Sequence, residues 1–348
     1  MSKADAAAAI LWVGVTFYAL FGGADFGGGF WDLIAGDAQR GERPRALIQR
    51  SLTPVWEANH VWLIFVLVVL WTAFPPAFSA IFSTLYVPIA LAALGIVLRG
   101  AGFAFRKQVE GLAGRRAMGA TFALSSVLTP FFMGTVVGAI ASGNVPADGN
   151  GDAFSSWLEP LPLLTGAMFV STGAYLAAVF LVGDARRAGE AELERYFLRR
   201  ALAAAAVAGL AAAVGVVELH AEARYLFDRL TDQGLPLVAA SAVCGLALLA
   251  LLLRPTGRKP TPVVGNRPIG RGFLRPLAGG AVVGVVWGWG IAQFPYLLPT
   301  SLRIDQAAAP EPTLNIVFVV FAAAAVLVLP SLALLYTLTQ RDVLEGEH

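Results

Sequence analysis

Apolar residues in this chain of 348 run in long blocks rather than in the alternations of a half-buried strand or the stripes of a surface helix. Taking about 20 apolar residues as the length that crosses hydrocarbon, nine segments qualify, at 8–34, 53–73, 78–102, 117–142, 161–183, 201–219, 235–253, 277–299 and 313–338. The pattern predicts an all-α polytopic membrane protein with a single integral-membrane domain over 1–348. Phe74-Pro75-Pro76-Ala77 separates the second and third segments, and consecutive prolines cannot continue a helix, so 53–102 is expected to form a helical hairpin. The segment 188–200, AGEAELERYFLRR, predicts a short interfacial helix leading into the sixth span. No sequence repeat is evident.

Composition agrees. Hydrophobic residues make up 57% and charged residues 14%, and the mean hydropathy is +0.69, far from a soluble domain. The net charge of +2 marks no nucleic-acid patch. The N-terminal stretch runs past Phe30 and contains Asp25, unlike a cleaved signal, and is expected to be retained. With the N-terminus outside, and Arg99 counted inward, 21 of the 25 Lys and Arg fall on inner segments. The outer ones are Lys3, Arg224, Arg229 and Arg303. The positive-inside rule therefore predicts N-terminus outside and C-terminus inside. The loop 254–276, with six basic residues, reads as a surface anchor for anionic headgroups.

Chemistry concentrates in the first three spans. Charged groups are costly in hydrocarbon and mark functional positions by default. The first span, FGGADFGGGFWDLIAG, places Asp25 and Asp32 seven residues apart, close to one helical face. Its glycines fit either close helix packing or a deformed, hydrated backbone. The second span begins TPVWEANHVWLIF, with Glu57 and His60 one turn apart, Asn59 beside them, and Trp56 and Trp62 as belt or cofactor-packing rings. The third ends LRGAGFAFRK, so Arg99 must snorkel or pair with an acid. Asp25, Asp32, Glu57, His60 and Arg99 all fall in the inner half of the membrane. They form a candidate cytoplasmic proton path, supported by Asn59, Trp56 and Trp62. A structural ion-pair network, a bare assembly scaffold, or the cation site of a secondary transporter uses the same residue types.

His220, next to Glu218 at the outer end of the sixth span, reads as solvated, and Cys244 as a packed small side chain. No phosphate loop, metal-ligand cluster or nucleophile triad stands out. Too few buried axial ligands are present to hold several haems.

GADFGGGFWDLIAG at 23–36, TPVWEANHVWLIFVLVVLWTAFPPAFSAIF at 53–82, LYVPIALAALGIVLRGAGFAFRK at 85–107 and GWGIAQFPYLLPTSL at 288–302 resemble the second subunit of cytochrome bd-type quinol oxidases, including the cyanide-insensitive branch. The resemblance covers essentially the whole chain. It implies two four-helix bundles, 8–142 and 161–299, with a peripheral helix at 313–338. It further implies a heterodimer in the bacterial plasma membrane with a homologous first subunit. That partner holds the haems, b and d, oxidises quinol and reduces dioxygen to water. The second subunit is expected to bind no haem directly, to assist assembly and to contribute a proton path. A structural quinone and a small accessory subunit are further family expectations. On the resemblance Asp25 and Glu57 match acidic motif positions and Arg99 the basic position. Many relatives carry Asp-Gly-Asn followed by Gln or Glu where this chain has Glu57-Ala58-Asn59-His60, so His60 adds a group titrating near neutrality.

Overall fold

The computed structural model describes residues 2–37, 39–105, 112–254, 263–264, 267–268 and 272–340. Within these it does not describe the side chains of 52–58, 112–113, 115–116, 263–264, 267–268, 329, 332–333 and 335–340. The chain is almost wholly helical. In order the elements are α1 (Lys3–Leu33), α2 (Glu42–Ala73), α3 (Pro75–Thr84), α4 (Tyr86–Phe105), α5 (Leu112–Ala141), α6 (Ser155–Leu158), α7 (Pro160–Arg187), α8 (Ala191–Glu222), α9 (Arg224–Asp232) and α10 (Leu235–Leu253). There follow a two-residue pair β1 (Val263–Val264) and β2 (Arg267–Pro268), α11 (Leu274–Gln293), a hairpin of β3 (Tyr296–Leu298) and β4 (Leu302–Arg303), α12 (Ile304–Ala307) and α13 (Glu311–Gln340). Among the described residues eight helices are long and apolar enough to cross a membrane. The number rises to nine if the bent pair α2–α3 counts as one span.

Three expectations are corrected. The Phe74–Ala77 stretch is not a tight turn joining two long spans. Pro75 and Pro76 open a helix of their own, α3, bent by 116° from the end of α2. Proline is tolerated in a first turn because no intrahelical acceptor awaits its nitrogen, and the residue before it is pushed out of the α region. Phe74 accordingly sits at φ −137°, ψ 59°, and the third span starts at Tyr86 rather than 78. The eighth span ends at Gln293 rather than 299, because Pro295 and Pro299 stop the helix and the chain turns back as the β3–β4 hairpin. The separate interfacial helix expected at 188–200 is instead the opening of α8, continuous from Ala191. Most of the basic loop 254–276 lies outside the described residues.

The repeat hidden in the sequence is plain in the backbone. A single constant shift carries Glu42 to Ala191, Ala73 to Glu222, Phe74 to Ala223 and Tyr86 to Leu235, so α2–α3–α4 is matched by α8–α9–α10. Even the break is repeated, with Ala223 at φ −133°, ψ 57°. Arg224 follows it rather than proline, so the architecture dictates the break and the prolines of the first half only reinforce it. Neighbour relations repeat too. α1 packs on α2 and α5 as α7 packs on α8 and α11, α4 on α5 as α10 on α11, and α5 on α7 as α1 on α11.

At the centre α1 crosses α7 with backbones nearly touching. A Cβ on Gly27 would lie 1.9 Å from the Gly173 carbonyl oxygen, and one on Gly173 would lie 2.9 Å from that of Gly23. Trp31 Nε1 donates to the Ala174 carbonyl at 2.8 Å across the same contact. Outside this pair, α13 rests on α2 and α1. It is tied by Lys3 to Glu311 at 2.7 Å and by Ala309 N–H to the Ala73 carbonyl at 2.8 Å.

Gly27→Ala is expected to push the two helices apart and to cost roughly 1–3 kcal/mol of overpacking, read as a lower unfolding temperature of the solubilised complex. Gly209→Ala on α8, where an added Cβ meets nothing within 4 Å, is expected to leave that temperature unchanged.

Candidate functional site

The glycines of α1 do two jobs. Gly27 admits α7, while others vacate space that polar side chains then occupy. An added Cβ at Gly29 would meet Ser126 Oγ at 2.1 Å, and one at Gly22 would meet Asn59 Oδ1 at 2.8 Å. On α4, Gly95 makes room for Thr129 in the same manner, at 2.3 Å. A polar pocket thus forms inside α1, α2, α4 and α5 where four apolar helices would otherwise close.

At its centre Asp25 and Arg99 form an ion pair with exposures of 0% and 1%. Burying an isolated carboxylate or guanidinium is prohibitive, and a pair survives only when its remaining donors and acceptors are also satisfied. Here they nearly are. Arg99 donates to Asp25 Oδ1, to the Asp25 carbonyl at 3.2 Å and to Ser126 Oγ. Asn59 Nδ2 donates to Asp25 Oδ2 at 3.1 Å. The rings of Phe26 and Phe122 face the guanidinium with centroids at 4.8 and 4.5 Å. Arg99 Nε, Asn59 Oδ1, Thr129 Oγ1 and Trp62 Nε1 are buried without a hydrogen-bond partner among the described residues. Tyr18, two turns before Asp25 on α1, donates to Met133 Sδ at 3.2 Å.

Asp32 belongs to a second pair. Its Oδ1 lies 3.2 Å from Arg45 Nε. Arg45 also donates to the Gly36 and Asp37 carbonyls at 2.6 and 3.0 Å, locking the α1–α2 turn beneath the carboxylate. The two acids of α1 therefore serve different partners at different depths. His60 is half-buried on α2. Trp62 is buried and stacks on Phe17 at 4.3 Å rather than forming a belt. The Glu57 and Trp56 side chains lie outside the described residues.

Of the predicted site residues the structure brings Asp25, Asn59 and Arg99 into contact and sets Asp32 apart from them. The sequence reading missed Arg45, Ser126, Thr129 and Tyr18. A signal existed for two of these in LSSVLTP, three hydroxyls within one apolar span. Elsewhere Arg275 meets Asp184 at 2.7 Å where α11 begins. His220 is bonded to Arg224 and packed edge-on against Phe227 at the far end of α8. Among the described residues no group of three or more His, Cys, Asp or Glu converges as a metal site.

The repeat supplies an internal control. The same constant shift carries Arg99 to Leu248, which is 0% exposed, and Asn59 to Ala208. One half thus builds the same helix arrangement with an apolar core where the other holds an ion pair. The pair is a local addition and no requirement of the architecture.

The profile of the family described as cytochrome bd terminal oxidase subunit II matches residues 4–339. A putative cytochrome bd menaquinol oxidase subunit II of Bacillus subtilis is 21% identical over 97% of this chain and 95% of the relative. Cytochrome bd-I ubiquinol oxidase subunit 2 of Escherichia coli is 28% identical over 48% of this chain and 46% of its own. Among solved structures, a chain of the bd oxidase from Geobacillus thermodenitrificans superposes with a TM-score of 0.79, at 25% identity and full coverage of both chains. None of these matches is a transporter. The chain belongs to the cytochrome bd terminal oxidase subunit II family, and is a membrane subunit of a quinol:oxygen oxidoreductase whose haems are carried by another subunit.

Proposed function

We propose that this subunit delivers protons to the oxygen chemistry of its haem-bearing partner, and that Asp25, with Asn59 and Arg99, is the buried protonatable station of that path. Reduction of dioxygen to water consumes protons as well as electrons, so a site sealed in a membrane needs polar groups leading to it. The observation carrying this reading is the fully buried Asp25–Arg99 pair, present in one half of the chain and replaced by Leu248 in the other.

The chemistry suits the task. When Asp25 takes up a proton, Arg99 keeps Ser126 Oγ and the Asp25 carbonyl as acceptors, so its donors stay hydrogen-bonded within the protein although its counter-charge is lost. The energetic cost of toggling the carboxyl is thereby reduced relative to a guanidinium whose only partner is that carboxylate. Arg99 Nε and Asn59 Oδ1, unpartnered and buried, offer further anchoring points along a chain of hydrogen bonds. Asp32 with Arg45 stands nearer the end of α1, roughly 10 Å along the axis from Asp25, and is the mouth of the path. Glu57 and His60 on the facing helix complete the entry.

The excess of Lys and Arg on the connections at that end supports an inner, cytoplasmic mouth, with the N-terminus outside and the C-terminus inside. We read 8–142 and 161–299 as two four-helix bundles and 313–338 as a peripheral helix. The subunit itself carries no haem in this reading. His220 is engaged at the surface by Arg224 and Phe227, which leaves His60, half-buried, as the more enclosed of the two imidazoles among the described residues. A second role in assembly follows from the packing of α1 against both halves.

Asp25→Asn leaves Arg99 buried without its counter-charge, at a cost of about 3–5 kcal/mol. It is expected to lower both the yield of assembled oxidase, counted by the haem spectrum, and the oxygen consumption per haem. A triple variant separates the two effects. Asp25→Ala, Asn59→Ala and Arg99→Leu together copy the apolar arrangement of the second half, and are expected to assemble with a normal haem spectrum while quinol-driven oxygen uptake falls at least tenfold. Unchanged uptake in the triple variant means the pair is only structural.

A further inference from the structure

Two cavities flank the place where α2 and α8 begin. One, of about 330 Å³, is lined by Arg195, Arg199, Arg200 and the ring of Tyr196, together with Glu192. The other, of about 400 Å³, is lined by Arg43 and Arg50, with Glu190 on its wall. A single guanidinium stands between them. Arg43 donates to Glu192 at 2.7 Å and to Glu190 at 3.0 Å, engaging the carboxylate of each cavity at once. Glu190 and Glu192 pair with Arg43 rather than with Arg50, Arg195, Arg199 or Arg200. Arg200 is spread over the Tyr196 ring at 3.3 Å from its centroid, and Arg195 bonds only to the Ala191 carbonyl. Five arginines against two glutamates leave the two cavities with a net charge of +3, a cationic recess.

Position decides what such a recess attracts. Arg199 and Arg200 immediately precede the apolar body of α8, whose outward stripe continues through Ala203, Ala206, Val207 and Leu210, the last two 57% and 67% exposed. Ala203 and Ala206 stand exposed on the turns that follow Arg199, so no bulky side chain covers the helix there. A free anion would use the guanidiniums alone, whereas a ligand with a phosphodiester and an acyl chain uses both. Guanidinium forks match phosphate oxygens in bidentate fashion, and a basic pocket between helices at a membrane surface is suited to an anionic headgroup.

We propose that the recess between the starts of α2 and α8 is a binding site for an anionic phospholipid. The phosphodiester lies against Arg195 and Arg199, with Arg50 across the Arg43 bridge, and an acyl chain follows the Ala203–Leu210 stripe. The assignment is independent of the proton path and concerns residues that path does not use.

The test uses the complete oxidase in nanodiscs of phosphatidylcholine doped with cardiolipin or phosphatidylglycerol, with retained lipid counted by native mass spectrometry after detergent extraction. Arg195→Gln with Arg199→Gln is expected to weaken retention of the anionic lipid at least tenfold. Glu192→Gln, which removes a wall carboxylate, is expected to strengthen it, and phosphatidylcholine retention is expected to stay constant in all forms. Equal retention in wild type and the double variant overturns the proposal. So does displacement of the lipid by millimolar inorganic phosphate, which marks a simple anion site. Loss of the partner subunit from the double variant with lipid retention intact overturns it as well, by assigning the arginines to the subunit interface.

Discussion

Everything distinctive in this subunit follows from one constraint, that a carboxylate cannot remain ionised inside a membrane without a counter-charge and a shell of donors. Asp25 meets it with three elements from outside its own helix: Arg99 of α4, Asn59 of α2 and, through Arg99, Ser126 of α5. Each partner arrives from a different span, so the pair reports that four helices are in register. Each also needs volume that an ordinary helix surface denies. Gly22, Gly29 and Gly95 supply that volume, and the glycine-rich character of α1 is thus bound to its charge.

The two halves show what this arrangement adds. Their helices α2 and α8 have the same length, and the halves break at equivalent positions and contact equivalent neighbours. The second half nonetheless fills the centre with Leu248, and its α7 and α8 bury Leu176, Val179, Val182, Phe197 and Ala201 in a continuous apolar cluster. Apolar packing is the simpler way to hold four helices together, and replacing buried ion pairs by apolar groups is commonly neutral or stabilising. A polar pocket kept where the fold itself does without one is best understood through what its groups do chemically.

The sequence made the number and approximate place of the spans legible, because hydrocarbon thickness leaves a signal twenty residues long. It also showed that Arg99 had either to snorkel or to pair with an acid, and the structure takes the second course. The choice of acid was harder. Asp25 and Asp32 share a helical face, and only the backbone path through the α1–α2 turn brings Arg45, thirteen residues after Asp32, back beneath it. The repeat escaped notice because lipid-facing and core positions accept any apolar residue of suitable size. What the halves have in common is helix length and dihedral angle rather than identity. Phe74-Pro75 and Ala223-Arg224 make the same break from unrelated residues, and no pattern of letters connects them.

Both acids are buried, and it is their arginine partners that differ in exposure. Arg45 retains a quarter of its surface open and spends two of its donors on the carbonyls of Gly36 and Asp37. Its hold on Asp32, itself only 6% exposed, is therefore shared with two carbonyls and open to water from the Arg45 side. Arg99 is 1% exposed, and its alternatives to Asp25 Oδ1 are Ser126 Oγ and a backbone carbonyl fixed in the same pocket. On the proposed path a proton would pass the partly open Arg45–Asp32 pair before entering, at Asp25, a site whose every donor and acceptor is part of the fold. The roughly 10 Å between the two acids would then be the step at which that path leaves water's electrostatics for the protein's own.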